Sequence, residues 1–429
     1  MKKFYALLLM LTAMGQAWAQ AWDGTTASMW TSGEGTQSAP YLIEQPAHLA
    51  YLSKRVGEGE TFEGKYFKVA NNLDMGGLEF PVIGKYDKSV DSQTNETKDA
   101  SLYFKGVFDG NHKEIDHLLI TKAPETTGSI AGQSVSLGGV ALFACTADGS
   151  VVRNVTIGKN SQIKVDGEIV AAIIGVMEGG VLENSANYAS ISATTFGGGL
   201  VGFMTGTSTM QYCTNKGVVN TAGMICGGIV SQIEKGATIK GCYNAAAVTG
   251  GSYYVGGIVG ITYDQVQVKN CYNVGAVKGP ESFLSKPHAI IGDNDGKKAI
   301  CANNYYVKQL TSVDDEAGTT QTRGQFKQEE AVNGLNNELD VKAFVLDTEN
   351  VNKGFPILSW EKTSTTAIHQ LSAGHDVQIN GHDIVCNKTS TIYDLKGRVV
   401  ATGKRMHIAA PGIYVLSCPG APAQKVVIR

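Results

Sequence analysis

Charge is scarce in this chain. Asp, Glu, Lys and Arg make up 17% of its 429 residues, where an ordinary globular protein carries roughly 25%. The 36 basic and 39 acidic residues leave a formal charge of −3, so there is no basic excess to draw a nucleic acid. Proline is rare, at 10 residues. The 8 cysteines include no Cys-x-x-Cys pair and are too sparse for a small disulfide-stapled fold. After the amino terminus no apolar run reaches the ~18 residues of a membrane-spanning helix. What is abundant is glycine, at 52, and apolar side chains, at 43%. The glycines do not recur at every third position, which excludes collagen. The apolar content and small net charge exclude wholesale disorder. The composition is that of a strand-rich, glycine-punctuated chain long enough for about three units.

The first residues read as an export signal. Lys2 and Lys3 precede an apolar stretch from Ala6 to Met14, and Ala17-Trp18-Ala19 is a small-x-small cleavage site. A signal peptide is expected over 1–19, with the mature chain starting at Gln20 and a flexible segment over 20–35. No cysteine lies near the cut, so a lipid anchor there is not expected.

The middle of the chain repeats. Cys213, Cys242 and Cys271 stand 29 residues apart, each within a short motif: Tyr212-Cys213-Thr214-Asn215, Gly241-Cys242-Tyr243-Asn244 and Asn270-Cys271-Tyr272-Asn273. Ser185 and Asn187 extend the series backward. A second marker keeps step: Gly198-Gly199-Leu200-Val201-Gly202, Gly227-Gly228-Ile229-Val230 and Gly256-Gly257-Ile258-Val259-Gly260, with weaker forms at Gly138 and Ala171. A period of this length belongs to solenoids. Helical repeats are set aside, because no unit offers two helix-length stretches at the helical period. Each unit reads instead as three short strands joined by Gly, Asn and Asp turns, for example 257–259, 267–271 and 275–278. Such a unit has no core of its own and gains one by stacking.

The expected fold is therefore all-β: a right-handed parallel β-helix over about 60–306, preceded by a capping helix and followed by a small β-sandwich. In stacked coils Asn187, Asn215, Asn244 and Asn273 lie above one another as an interior ladder of amides. Cys213, Cys242 and Cys271 form a parallel stack. Adjacent coils at about 4.8 Å bring these cysteines within disulfide range, but buried free thiols are the preferred reading.

Several residues invite a chemical reading and have a structural one. The segment 197–202 matches Gly-x-Gly-x-x-Gly, yet no helix follows and its glycines recur with the repeat, so turn glycines outweigh a nucleotide site. Asp74, Glu79 and Asp109 are the acids that stacking might gather for glycoside hydrolysis; turn-forming carboxylates are the commoner role. Asp314-Asp315-Glu316 lacks the alternation of a calcium loop and reads as a solvated loop. His112 and His117, five apart on a strand, are expected on opposite faces and so unable to share a metal. No cofactor and no metal site is expected.

The repeats resemble the GLUG motif of bacterial secreted and surface proteins, most closely where Val255–Gly260 is followed by Val268–Asn273 and Gly275–Val277. The preceding segment resembles the usual entry to such repeats, with Tyr41-Leu42-Ile43, a helical spacing of Leu49, Leu52 and Val56, and Phe104-Lys105-Gly106-Val107-Phe108-Asp109-Gly110-Asn111. The cap and first coils are placed at 36–120, with 85–100 an insertion loop, and the repeats at 121–306. An exit segment over 307–360, ending in Phe355-Pro356-Ile357-Leu358-Ser359-Trp360, is expected to cover the last coil. A linker is placed at 361–370. The final module, 371–429, resembles the sorting domain of type IX secretion through Tyr393-Asp394-Leu395-Lys396-Gly397-Arg398, Pro411-Gly412-Ile413-Tyr414-Val415 and the terminal strand from Lys425. A Cys386–Cys418 bridge within that module is left open.

These resemblances imply surface display or adhesion and transfer no catalytic residue. The expected function is a non-catalytic secreted or cell-surface protein, at the outer membrane of a Gram-negative bacterium or outside it, that binds an extracellular glycan or protein. The alternative is a carbohydrate-active β-helix enzyme, a polysaccharide lyase or glycoside hydrolase. Tyr253, Tyr254 and Tyr263 are the candidate binding residues, since exposed tyrosines suit both kinds of ligand. The chain is expected to be monomeric.

Overall fold

The computed structural model describes residues 18–90, 94, 96–126, 137–280, 286–308, 310–311, 314–362, 377–380, 383–394, 398–410, 412–417 and 424–428. The expected signal peptide up to residue 17, most of the expected linker and Cys418 lie outside the described residues. The chain divides after Lys362 into two units.

The first unit is a parallel β-solenoid. One coil runs through Thr238–Lys240, Tyr243–Asn244, Val248–Gly250, Tyr254–Gly256 and Val259–Thr262; the next begins with Gln267–Lys269, parallel to Thr238–Lys240 in register. A coil thus holds five strands, not the expected three, because two corners cut what the sequence reads as continuous. At the first corner Asn154, Asn184, Tyr212, Gly241 and Asn270 all adopt positive φ, between 49° and 65°, the left-handed region that Asn and Gly enter at least cost. The second corner is the glycine motif. Stacking gives five parallel sheets, here numbered one to five in the order a coil visits them, of nine, nine, six, five and six strands. Pairing begins at Tyr41–Ile43 and ends at Thr319–Gln321, so the solenoid exceeds the expected 60–306 at both ends.

Two columns of side chains satisfy the corners. Asn187, Asn215, Asn244 and Asn273 are fully buried, and each amide N–H₂ donates to the next amide oxygen at 2.9 Å. The second hydrogen of the Asn215 and Asn244 amides reaches the turn carbonyls of Gly217 and Ala246, both at 2.9 Å. The second glycine of each pair makes room for this ladder. A Cβ on Gly199, Gly228 or Gly257 would lie 2.6, 2.7 and 2.2 Å from the amides of Asn215, Asn244 and Asn273. The two markers that share one sequence period are two sides of one contact.

The second column is the cysteines. The thiols of Cys213, Cys242 and Cys271 donate to the carbonyls of Gln211, Lys240 and Lys269 at 3.2, 3.4 and 3.1 Å, and Cys242 Sγ also accepts the Cys213 N–H at 3.4 Å. Ser185 occupies the same position with a hydroxyl, donating to the Glu183 carbonyl at 2.8 Å and accepting the Val155 N–H at 3.1 Å. Asn304 takes the Cys271 N–H at 3.0 Å in the last coil. The stack is thus a hydrogen-bonding relay as well as apolar packing. Cys145, Cys213, Cys226, Cys242, Cys271 and Cys301 are free thiols.

The two ends close differently. Helix Pro46–Gly57, with Pro in its first turn, buries Leu49, Leu52 and Val56 in the solenoid core, covering apolar surface that the first coil leaves open. At the other end the carboxylate of Asp315 accepts the N–H groups of Ile290 at 2.6 Å and Ile291 at 3.2 Å. One coil earlier, the N–H groups of Ile258 and Val259 go to the Ile290 carbonyl. Asp315 therefore stands in for the next coil. It is 4% exposed, so the expected solvated loop is corrected at this residue: its backbone partners, 25 and 24 residues away in sequence, fix it inside.

Within the exit segment, Asp315 and the strand Thr319–Gln321 close the last coil, and the remainder runs elsewhere. It straps the flank, with Phe326, Leu335, Phe344 and Phe355 packed on Tyr243 and Tyr272, the outward side chains of sheet two. The repeat places these aromatic rings in a stripe that water would otherwise meet, and the strap covers it. Glu361, placed in the linker by sequence, ends the strap: its side chain is 3% exposed and pairs with Lys216 at 2.7 Å and the Tyr243 hydroxyl at 2.8 Å.

The second unit is a five-stranded antiparallel sheet. Its long strand Asp383–Asp394 pairs with Val377–Asn380, Val399–His407 and Gly412–Ser417. Irregular register along that strand curls the sheet in the manner of a sandwich or half-barrel, around Ile384, Ile392, Met406 and Leu416.

Candidate functional site: a trough along sheets four and five

The glycine motif turns the chain so sharply that sheets four and five meet as a concave outer corner. A Cβ on Gly202 or Gly260, the last glycine of the motif, would lie 2.3 or 2.5 Å from Cγ2 of Ile169 or Ile225 on the facing sheet. Only a bare backbone permits that approach. Sheet four lines one wall with Ile169, Phe196, Ile225 and Tyr254, aligned by strand register. Sheet five lines the other with Cys145, Val176, Phe203, Gln232, Ile261 and Asp293. Ile169, Val176, Ile225 and Ile261 are buried, so the floor is dry and the trough is shallow.

The residues over 85–100, expected as a plain insertion loop, dam one end. Lys88–Val90 and Thr97–Asp99 form an antiparallel hairpin, tied to Glu178 on sheet five by the hydroxyls of Tyr86 at 3.1 Å and Tyr103 at 2.8 Å and by Lys88. Burial pushes both tyrosines well above the usual phenol range, and the Glu178 charge adds to it. Burial pulls Lys88 down, but the bonds and charges of Glu178 and Asp99 leave it raised overall. Glu168, beside Ile169, is pushed up to about 7 by burial, partly opposed by the Gly138 N–H it accepts. Sequence reasoning missed this group, because nothing in the sequence signals that 86–103 meets 168–178.

The opposite end carries the tyrosines singled out from sequence. Tyr253 is 53% and Tyr263 37% exposed; Tyr254 is half-buried, its ring 6.2 Å from that of Tyr253. Burial raises Tyr254, and the charge of Asp293 raises it further. Burial raises Asp293, and Asp295 beside it raises it further. Burial also raises Tyr263, followed by the charges of Tyr254, Asp293, Asp295 and Glu234. Met224, one coil back and 46% exposed, continues this rim.

The other candidates lie away from the trough, each with partners in the fold. Asp109 accepts the Asn111 N–H at 2.8 Å and pairs with Arg153 at 3.1 Å. Asp74 accepts the Gly76 N–H at 2.9 Å and meets the His117 ring at 3.0 Å; Glu79 accepts the N–H groups of Thr121 and Lys122. His112 and His117 are not on a strand but at positive-φ turns on either side of Glu114–Asp116, and His112 stacks on Trp360 at 5.2 Å. Among the described residues no group of three or more His, Cys, Asp or Glu has the geometry to hold a metal. Two concavities lie elsewhere, of about 330 Å³ beside Val332, Asn336 and Phe344 and about 230 Å³ beside Trp22, Thr25 and Pro46. Neither joins the trough or gathers reactive groups. No helix among the described residues is long and apolar enough to cross a membrane, which says nothing of β-barrels.

No protein-family profile matches the chain. A protein of Evansella cellulosilytica, provisionally described as a Gly-rich membrane protein, is 28% identical over 185 residues, 42% of this chain. The match spans only 18% of that protein's length. A crystal structure from Bacteroides ovatus, provisionally described as an immunoglobulin A1 protease, superposes with a TM-score of 0.56 over 78% of this chain and 96% of that one, at 18% identity. What this chain shares with it is the β-solenoid fold.

Proposed function

We propose that this is a non-catalytic secreted or cell-surface protein that holds an extended ligand, a glycan or a protein segment, in the trough. The observation that carries the reading is the open corner that repeats coil after coil and bears exposed tyrosines at one end, which suits many weak contacts along a chain rather than one deep pocket. Of the carboxylates near it, Glu178 is committed to holding the hairpin. The export signal, the GLUG resemblance and the type IX resemblance of the last module favour a destination outside the inner membrane of a Gram-negative cell. The protease description of the structural neighbour travels with a fold match alone and assigns no active residue here.

The experiment is a retention and turnover screen. The mature chain is passed over immobilised polysaccharides and matrix proteins while reducing ends, unsaturated sugars and new amino termini are measured. Retention without product is expected. Reproducible turnover, particularly if lost in Asp109→Asn, overturns the proposal.

A further inference from the structure

We infer that the tyrosine end of the trough takes the sugar rings of a neutral polysaccharide; the inference rests on the binding reading above and names its ligand class. Three features of that end bear on the choice. First, the exposed side chains Met224, Tyr253 and Tyr263 rim it, and tyrosine faces receive the C–H faces of pyranose rings while their hydroxyls bond sugar hydroxyls. Second, the polar groups nearest are acceptors: Asp293 and Asp295, with Glu234 on the same sheet. Carboxylates accept from hydroxyl donors and repel other anions. Third, three of the nearby lysines are ion-paired. Lys235 pairs with Glu234 at 3.1 Å and Lys298 with Asp295 at 3.0 Å, and Lys297 pairs with Glu316. One further lysine, Lys286, is exposed one coil on from Tyr254; set against Asp293, Asp295 and Glu234 it leaves no cationic excess, so the local charge favours a neutral glycan over an anionic one. It also weighs against the lyase alternative, whose substrates carry a carboxylate beside the broken bond. A protein ligand would need apolar anchors buried in pockets, and the floor here is already filled by Ile225 and Ile261.

The test is affinity electrophoresis and calorimetry on the full mature chain with laminarin and galactomannan as neutral probes and polygalacturonate and heparin as anionic ones. Retention by a neutral probe is expected, unchanged between roughly 0.05 and 0.5 M NaCl because no charge pair forms. Tyr253→Ala with Tyr263→Ala is expected to weaken it by about tenfold or more, and Tyr253→Phe by only about two- to threefold, since the ring face remains. Both residues are exposed, so an unchanged circular dichroism spectrum verifies that the variants fold. Indifference to the neutral probes, salt-sensitive preference for an anionic one, or neutral binding unaffected by the double substitution each overturns the inference. Tyrosine-dependent binding accompanied by product release supports the ligand class while refuting the non-catalytic reading, so the two failures are told apart.

Discussion

Replacing Asn244 by Leu isolates the amide ladder. The side chain is fully buried and makes four kinds of bond. It donates to Asn273 Oδ1 and to the Ala246 carbonyl, both at 2.9 Å, and accepts from Asn215 Nδ2 at 2.9 Å and from the Ala246 N–H at 3.3 Å. Asn215 and Asn273 keep their own turn partners, Gly217 and Gly275, and each loses one bond, of four and of three respectively. Ala246 loses its side-chain partner on both its N–H and its carbonyl. A buried group left unsatisfied costs about 1–3 kcal/mol, so the two Ala246 groups together cost about 2–6 kcal/mol. Burying a leucine returns roughly 2 kcal/mol at most, and less here, because the space beside Gly228 fits a flat amide. A net loss of about 1–4 kcal/mol is expected. It is read from the urea midpoint of residues 20–362, followed by strand circular dichroism with the slope held at the wild-type value. A midpoint within error of wild type would refute both the ladder's energetic role and the assignment of these bonds.

Further outcomes follow from the other features. Cys242→Ser keeps the relay, as Ser185 does two coils earlier, and should shift stability by less than about 1 kcal/mol, whereas Cys242→Val leaves the Cys213 N–H unpaired and should cost about 1–3 kcal/mol; paired denaturation curves compare them. Asp315→Ala removes the acceptor for two N–H groups, so hydrogen exchange at Ile290 and Ile291 should accelerate while the coil around Val152 stays protected. Glu168, raised by burial to about 7, binds its proton more tightly in the folded state than in the unfolded one. Its contribution is therefore full below about pH 4.5, the usual glutamate range, and is lost as pH climbs through 7. Stability measured across that window should fall more steeply in wild type than in Glu168→Gln, and parallel curves would sink the assignment.

The period of the glycine pairs and asparagines, with the β-branched residues between them, made the parallel solenoid legible before any coordinates, because stacking repeats the same local requirement in every coil. Strand count was misread because positive φ at Asn270 and its equivalents leaves no mark that separates a corner from a strand asparagine. Asp315 and the strap were illegible for a different reason. They answer needs that arise only once per molecule, at an edge and along a flank, and no periodicity announces them. The three tyrosines were picked out from sequence as a class of residue; that they border a trough, with Asp293 reaching in from the next coil, depends on register across sheets four and five. The hairpin bound to Glu178 joins segments some 75 to 92 residues apart, and only the fold brings them together.

The strap also acts as a ruler. Trp360 holds the Tyr212 carbonyl, Glu361 the Tyr243 hydroxyl, and the Pro356 carbonyl receives the Tyr272 hydroxyl, so one short segment grips consecutive coils. Duplicating a 29-residue unit ahead of those coils would lengthen the trough by one step of about 4.8 Å and leave its floor chemistry intact, at the cost of the single stack of His112 on Trp360. Inserting the same unit between Tyr212 and Tyr272 would pull the grips out of step and bury an unmatched Lys216 or Glu361. Gene duplication is thus permitted on one side of the ruler and penalised within it, so the length of the surface can vary between relatives while its tyrosine end stays the same.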